Sequence, residues 1–377
     1  MLRRLIGRLR RELRYGFRGG LKRDIAAVLA PKLRHGVDVL FYCQFPFHEG
    51  WIRTTVADLE EAGVSYAVIV DHAAQPLETL PAEKQVLCSQ RVLSRFSCKV
   101  FVTAVSGMTR RQMPNTATTI HMPHSLASLH MIYPDGAFDA YDQIFACGDH
   151  HVAEIEQLQR LRPSFRGRAV TIGYGKTDWL VEEPRKESND ETSLVVIAPS
   201  WGADNLFDRV GVPLISELLD LNLRVVCRPH PSFFVFGSRI LSEFESQFGD
   251  NDRFQIEKSD ATDISFLSAD VLISDYSGIA LEYAFVTGRP VVFADLPAKV
   301  LNPGWQSVGR DPVELGLRSQ LGRVVEPDAR KIAVAVSELL RTGSEERARI
   351  EALRDAHNHN FRACGATAAR AIEELLG

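Results

Sequence analysis

Ten short apolar runs rich in Val, Ile and Phe, with longer helix-like stretches between them, constrain this chain more than any other feature. The first series is Val37–Cys43, Tyr66–Asp71, Lys99–Thr103, Gln143–Cys147 and Ala169–Ile172. The second is Leu194–Ala198, Leu223–Cys227, Asp270–Ser274, Pro290–Ala294 and Arg323–Glu326. Such alternation is the pattern of βαβ units and parallel sheets. The polar stretch 181–192 between the series has linker composition. The expectation is therefore an α/β protein with two doubly wound parallel-sheet domains facing a cleft. Residues 1–35 form a basic segment, 36–184 an amino-terminal domain, 185–343 a carboxyl-terminal domain, and 344–377 a helix packing across the domains.

At 377 residues and 45% hydrophobic content the chain can fill two ordinary cores, and no tract of one residue type points to disorder. The net charge of -4 hides an uneven distribution, because residues 1–35 carry 11 Lys/Arg against Glu12 and Asp24. Within that segment Leu2, Leu5, Ile6, Leu9, Leu13, Phe17, Leu21, Ile25 and Leu29 recur at helical spacing between the arginines. This reads as a basic amphipathic helix suited to an anionic membrane surface, where each cation contributes on the order of 1 kcal/mol. The folded body is acidic, which argues against nucleic acid as a partner. The six cysteines follow no metal-ligand or disulfide spacing and read as buried thiols of a reducing compartment. No apolar run is long enough to span a membrane, so the expected location is cytoplasmic.

In open α/β sheets ligands lie beyond the carboxyl ends of strands, so the residues just after each run carry the chemistry. In the second series these are Ala198-Pro-Ser200-Trp201-Gly202, Cys227-Arg228-Pro-His230-Pro and Ile273-Ser274-Asp275-Tyr-Ser277-Gly278. Ser277 reads as the N-cap of a helix running from Ile279 to Thr287 and closed by Gly288. Its free N–H groups and dipole would favour a phosphate, with Ser274 and Ser277 as further donors. Glu282 on that helix is a carboxylate of the kind that accepts ribose hydroxyls. Arg228 and His230 add a cation and an imidazole at a neighbouring strand end. In the first series His121 and His124 stand at i, i+3 without a third ligand, which is poor metal spacing. His124 is the first choice for taking a proton from an alcohol. No Rossmann fingerprint, Walker sequence or G-x-S-x-G elbow is present.

The set His124-Ser125, Ile172-Gly-Tyr-Gly-Lys176-Thr-Asp178, Ala198-Pro-Ser-Trp201, Arg228-Pro-His-Pro231 and Ser274-Asp-Tyr-Ser277 with Glu282-Tyr283 resembles the CDP-glycerol glycerophosphotransferases, the teichoic-acid primases and polymerases. The resemblance spans roughly residues 117–300. It implies a GT-B fold, a site without metal or other cofactor, and peripheral attachment to the inner face of the bacterial inner membrane. It implies catalytic roles for His124 and His230. Donor contacts would come from Ser200, Trp201, Gly202, Arg228, Ser274, Asp275, Ser277, Gly278 and Glu282. His121, Lys176 and Asp178 would lie toward the acceptor or the cleft. The family's Gly-Tyr-Pro-Arg-x-Asp reads here as Gly173-Tyr-Gly-Lys176-Thr-Asp178, and the context of the first histidine is Met-Pro-His124-Ser.

The leading expectation is transfer of glycerol phosphate, or a related phospho-alcohol, from a CDP-activated donor to a hydroxyl of a lipid-linked or polymeric glycan. CMP would leave, and the product would belong to a cell-surface polymer. A GT-B glycosyltransferase or a sugar-nucleotide epimerase using a UDP or CMP sugar is the alternative, because a helix amino terminus reads phosphate and not the base. A membrane-bound scaffold with a vestigial cleft is the third reading.

Overall fold

The computed structural model describes residues 17–30, 33, 36–71, 76–183, 192–202, 204–236, 238–257 and 264–377. Residues 1–16, 31, 32, 34 and 35 of the expected basic segment and the domain boundary at residue 185 lie outside the described residues. The chain forms two compact units. The first runs to His124, resumes over Tyr133–Asp178 and ends with His359–Gly377, while the second holds Ser125–Ile132 and Trp179–Asn358.

The first unit opens with helix α1 (Phe17–Leu29) and strand β1 (Val37–Cys43), followed by α2 (Glu49–Glu61), β2 (Tyr66–Asp71), β3 (Gln85–Cys88), β4 (Cys98–Thr103), β5 (Thr118–His121), β6 (Gln143–Ala146), α3 (Asp149–Leu161) and β7 (Arg168–Thr171), and α4 (Gly175–Glu182) carries the chain into the second unit at Trp179. The first unit's seven strands are ordered β3-β2-β1-β4-β5-β6-β7. Every pairing is parallel. All of β2 and most of β1 are buried, as a sheet covered on both faces requires. Helix α1 is tied to this unit by Asp24, whose carboxylate accepts the Ser89 backbone N–H and hydroxyl, each at 2.7 Å. Ala27 faces inward, and Leu21, Ile25 and Leu29 remain more than half exposed at spacings of four.

The second unit contains β8 (Leu194–Ile197), α5 (Leu206–Asp220), β9 (Arg224–Cys227), α6 (Pro231–Phe236), α7 (Arg239–Phe248), β10 (Phe254–Ile256), α8 (Ile264–Ser268), β11 (Val271–Ser274), α9 (Ile279–Thr287), β12 (Val291–Ala294), α10 (Val313–Leu321), β13 (Gly322–Val325), α11 (Ala329–Thr342) and α12 (Arg347–His357). Its six parallel strands are ordered β10-β9-β8-β11-β12-β13. Leu214, Leu218, Val336 and Leu339 of α5 and α11 pack with Val195, Ile197, Val225 and Ile273 of the sheet. Each such side chain contributes roughly 1.5–3 kcal/mol when fully buried.

All ten expected runs form strands, with ends shifted by a residue at most. Three strands escape the sequence pattern: β3, β5 and β10 are three or four residues long and carry Gln85, the Thr118–Thr119 pair and Gln255, which break their apolar character. The expected carboxyl-terminal helix is instead α12 and a final helix, α13 (Cys364–Glu373), separated by a turn with positive φ at Asn360 and Arg362. Helix α12 belongs to the second unit and α13 to the first. The six cysteines are buried and none forms a disulfide. Among the described residues no helix is long and apolar enough to cross a membrane.

In both sheets the first strand lies between the second and the fourth, so the winding direction reverses beside it. This is the topological switch point at which open α/β sheets bind ligands. In the first unit it lies between β1 and β4, and in the second between β8 and β11.

Candidate active site

In the first unit the residues after β1 and β5 build a cluster of imidazoles and aromatic rings. His124 leaves the carboxyl end of β5 by way of Met122-Pro123. Its Nε2 lies 2.9 Å from the Tyr133 hydroxyl. Its ring centroid is 5.1 Å from Trp51 and 6.0 Å from His121. Burial pushes the His124 pKa down to about 4, only partly offset by the nearby Ala104 carbonyl. The ring is therefore neutral at pH 7. His121 is fully buried against Phe138 and Tyr141. Burial, with the neighbouring imidazoles of His124 and His151, holds its pKa well below the ordinary histidine value. His48, after β1, is also held low by burial and then by His124. Its Nδ1 accepts the Gln44 backbone N–H at 3.3 Å.

The Gly173–Asp178 motif supports this cluster. The Tyr174 hydroxyl donates to the His124 carbonyl at 3.1 Å and accepts the Trp51 indole N–H at 3.0 Å. Gly173 has φ +92, and a Cβ there would come within 1.9 Å of the His359 carbonyl oxygen, so only glycine fits. Asp178, expected toward the acceptor or the cleft, has internal partners. Its carboxylate accepts the backbone N–H groups of Arg362 (3.0 Å) and Gly365 (2.9 Å), fixing the start of α13. Burial raises the Asp178 pKa against the opposing pull of those bonds. Lys176 is half-buried in the first turn of α4.

The chain enters the second unit at the His124–Ser125 peptide bond and returns at Ile132–Tyr133. In between, the Ser128 N–H and hydroxyl donate to Glu314 at 2.9 and 2.8 Å. The Asn302 side-chain amide donates to the His130 carbonyl at 2.9 Å. Ser125 reaches α9 so closely that a Cβ on Gly278 would lie 3.0 Å from its hydroxyl oxygen. His124 and Tyr133, joined by their hydrogen bond, thus mark the two ends of a segment built into the other unit.

The second unit's strand-end loops carry the remaining candidates. Helix α9 is buried all round, and its N-cap is Gly278, not Ser277 as expected; no side chain caps it. A helix start without a side-chain cap suits an anion, although the Ala280 and Leu281 N–H groups donate to the Ser277 and Gly278 carbonyls, each at 3.1 Å. Glu282 is buried in the first turn of the same helix. The chain closes α9 with Gly288 at φ +68, as the sequence implied.

Trp201, in the loop after β8, is 40% exposed. Lys299 Nζ stands 3.6 Å from the centroid of its ring, and the His230 ring lies 5.9 Å away at an angle of 34°. The Ser232 backbone N–H donates to His230 Nδ1 at 3.1 Å, so the neutral ring carries its proton on Nε2. Burial, then the Lys299 charge, pushes the His230 pKa down to about 4. Burial also lowers Lys299 to about 8, against the pull of Asp275. This corner therefore presents a hydrogen-bond donor, a cation and an aromatic face. Gly202 follows with φ +131 and open space on its Cβ side.

Three expected donor contacts have internal partners. The Ser274 hydroxyl is fully buried and donates to the Ala198 carbonyl at 2.7 Å, tying β11 to β8. The Asp275 carboxylate accepts the N–H groups of Ser200 (2.6 Å) and Leu206 (3.3 Å), positioning the loop after β8 and the start of α5. Arg228 forms a 2.7 Å ion pair with Glu257, which also accepts the Ser265 hydroxyl at 2.5 Å. His48, Trp51, Tyr133, Glu257 and Lys299 were not read from the sequence. His48 alone had a usable signal, since it stands five residues beyond an evident strand end. Among the described residues no group of three or more His, Cys, Asp or Glu could hold a metal ion.

Residues 139–299 match the family CDP-Glycerol:Poly(glycerophosphate) glycerophosphotransferase. The chain resembles the glycerophosphotransferases. The glycerophosphotransferase match takes in Ser200, His230, Ser277 and Glu282 and begins after His124. No curated protein sequence matches this chain. Among solved structures, one of the wall teichoic acid polymerase TagF with CDPG aligns over 98% of this chain and 98% of its own, at 14% identity and TM-score 0.61. S. aureus MnaA with UDP aligns over 90% and 97%, at 14% identity and TM-score 0.61. The UDP-GlcNAc 2-epimerase of Methanocaldococcus jannaschii, with UDP-GlcNAc and UDP, aligns over 89% and 99%, at 12% identity and TM-score 0.56. These likenesses show the fold, a GT-B-like pair of parallel-sheet units.

Proposed function

We propose that this protein transfers glycerol phosphate, or a related phospho-alcohol, from a CDP-activated donor to a hydroxyl of a lipid-linked or polymeric glycan, releasing CMP. The observation that carries this reading is the glycerophosphotransferase match over the segment holding the uncapped α9 amino terminus and the His230 and Lys299 loops. The helix N–H groups of α9, the Nε2–H of His230 and the Lys299 ammonium hold the donor diphosphate, and the Trp201 face borders it. Glu282 is the candidate acceptor for ribose hydroxyls.

The acceptor oxygen forms a bond to the phosphorus bearing the glycerol. The bond from that phosphorus to the bridging oxygen breaks, and CMP leaves with the electron pair. His124, neutral at pH 7, takes the acceptor proton. Tyr133 orients that ring. Positive and hydrogen-bonding groups around the diphosphate stabilise the charge that develops on the leaving phosphate.

Calorimetry of the full chain with CMP, CDP, CDP-glycerol, CDP-ribitol, UDP and UDP-N-acetylglucosamine tests the reading. Cytidine nucleotides are expected to bind more tightly than uridine nucleotides. A uridine preference would replace phosphotransfer with sugar-nucleotide chemistry.

The same reading puts the enzyme at the cytoplasmic face of a bacterial inner membrane. It is supported by the basic residues of segment 1–35 and by the outward stripe of Leu21, Ile25 and Leu29 on α1. Replacing all three stripe residues with serine should release the protein from phosphatidylglycerol vesicles in a sedimentation assay. Unchanged sedimentation would remove α1 from the membrane contact.

A further inference from the structure

Phe45 and Phe47 follow β1 at the switch point of the first sheet. They are 41% and 36% exposed. Their rings stack nearly parallel, with an interplanar angle of 8° and centroids 5.2 Å apart. The intervening Pro46 starts a short 3-10 turn, Pro46–His48, and the His48 N–H donates to the Phe45 carbonyl at 3.1 Å. The pair is thus held by a stiff backbone before any ligand arrives.

The rings continue inward without a gap. Phe47 meets Trp51 edge-on at 5.7 Å, and Trp51 lies 5.1 Å from His124. His48 fills the angle beneath, 5.5 Å from Phe45 and 5.1 Å from Phe47. An exposed stacked pair, with an outer ring face turned away from its partner, therefore leads through Trp51 to the imidazole assigned to the acceptor proton.

We propose that Phe45 and Phe47 form a saccharide platform and that the acceptor presents a pyranose ring to it. For the role of His124 this rests on the transferase reading above. A pyranose has a face of C–H groups that lies flat on an electron-rich ring while its hydroxyls stay in water. A glycerol phosphate chain fits poorly, because it is acyclic and its phosphates are repelled by the negative faces of the rings. Glu49, two residues beyond Phe47 and fixed by the Thr79 hydroxyl and N–H at 2.5 and 2.7 Å, adds negative charge to the same turn. The sugar occupying the platform lies one or two units behind the reacting hydroxyl, so the platform selects a glycan end over a polyol-phosphate end.

Saturation-transfer NMR and tryptophan fluorescence on the full chain test this with three probes. They are neutral pyranose disaccharides (chitobiose, maltose and galactobiose), a glycerol phosphate trimer, and phosphatidylglycerol vesicles. At least one disaccharide is expected to bind through its C–H face, and F45A/F47A should weaken it about tenfold or more. F47W should retain binding and F47L should lose it, which separates ring stacking from simple apolar contact and from misfolding. The proposal is overturned if no disaccharide binds, if F45A/F47A binds it as the wild type does, or if F47L binds as well as F47W. It is also overturned if the glycerol phosphate trimer or the vesicles are what lose affinity in F45A/F47A. A parallel CDP titration separates the two readings: sugar without CDP binding sinks the transferase, and CDP without sugar binding sinks the platform.

Discussion

The two units wind their sheets in the same order, yet the loops at their switch points have opposite chemical character. In the first unit the strand ends gather His48, His121 and His124 among Trp51, Tyr133, Phe138 and Tyr141, with burial keeping the imidazoles neutral. In the second they gather a helix amino terminus, the Lys299 ammonium and the Arg228–Glu257 pair. One scaffold thus carries neutral imidazoles in an apolar setting and a cation beside a helix start in a polar one, because strand-end loops are free of the packing that fixes the sheet.

The widest expected separation of these roles comes from His124→Ala. Turnover should fall by about a thousandfold while CDP affinity stays close to wild type. Parallel loss of both would erase the proposed division of labour. Next is Arg228→Met, which leaves Glu257 buried without its partner and should cost about 3 kcal/mol in denaturant unfolding. A double change with Glu257→Met should recover most of that stability. If the double variant still binds CDP as the wild type does, Arg228 is structural; if it does not, Arg228 also holds the donor.

Lys299→Ala should weaken CDP binding about tenfold, comparable to the loss of one charged hydrogen bond. With Lys299 lowered to about 8, CDP affinity should fall as pH rises through that value in the wild type. Lys299→Arg should flatten the fall, and an identical profile in both proteins would remove Lys299 from the nucleotide site.

The smallest effect is on acid stability. The four depressed histidines have folded pKa values below the unfolded value of about 6.5. Between the two the unfolded chain binds more protons, so their contribution is complete above about pH 6.5 and is lost as pH falls toward 4. Three of these histidines are in the first unit and His230 is in the second. Hydrogen exchange at pH 7 and pH 5 should therefore show protection falling first around β1 and β5, with a drop of a few degrees in the melting temperature. Equal loss in β8 and β11 would mean the two sites do not differ in this way.

Much of the architecture was legible because burial on both faces of a parallel strand leaves a continuous apolar run. Helix α9 was legible with its glycine end, and so were the loops holding His124, His230 and Trp201. The short strands β3, β5 and β10 were not, because their polar residues are satisfied by partners distant in sequence, as when Thr119 donates to Asp142 at 2.8 Å. Ser274, Asp275 and Asp178 were recognised as special and assigned to ligands. Their partners, Ala198, Ser200 and Gly365, lie 75 to 187 residues away, and no local pattern reports such a pairing.

The sequence by itself determined the two parallel sheets, the strand-end loops and the motif set that resembles the glycerophosphotransferases. These follow from periodicity and from residue type at strand ends, which are local properties of the chain. Tertiary structure alone decided which polar side chains remain available for chemistry. It committed Ser274, Asp275, Asp178 and Arg228 to internal partners, brought Lys299 over Trp201, and set Tyr133 against His124. The reason is physical: a buried polar group must be satisfied wherever a partner comes within reach, and that reach is set by the fold.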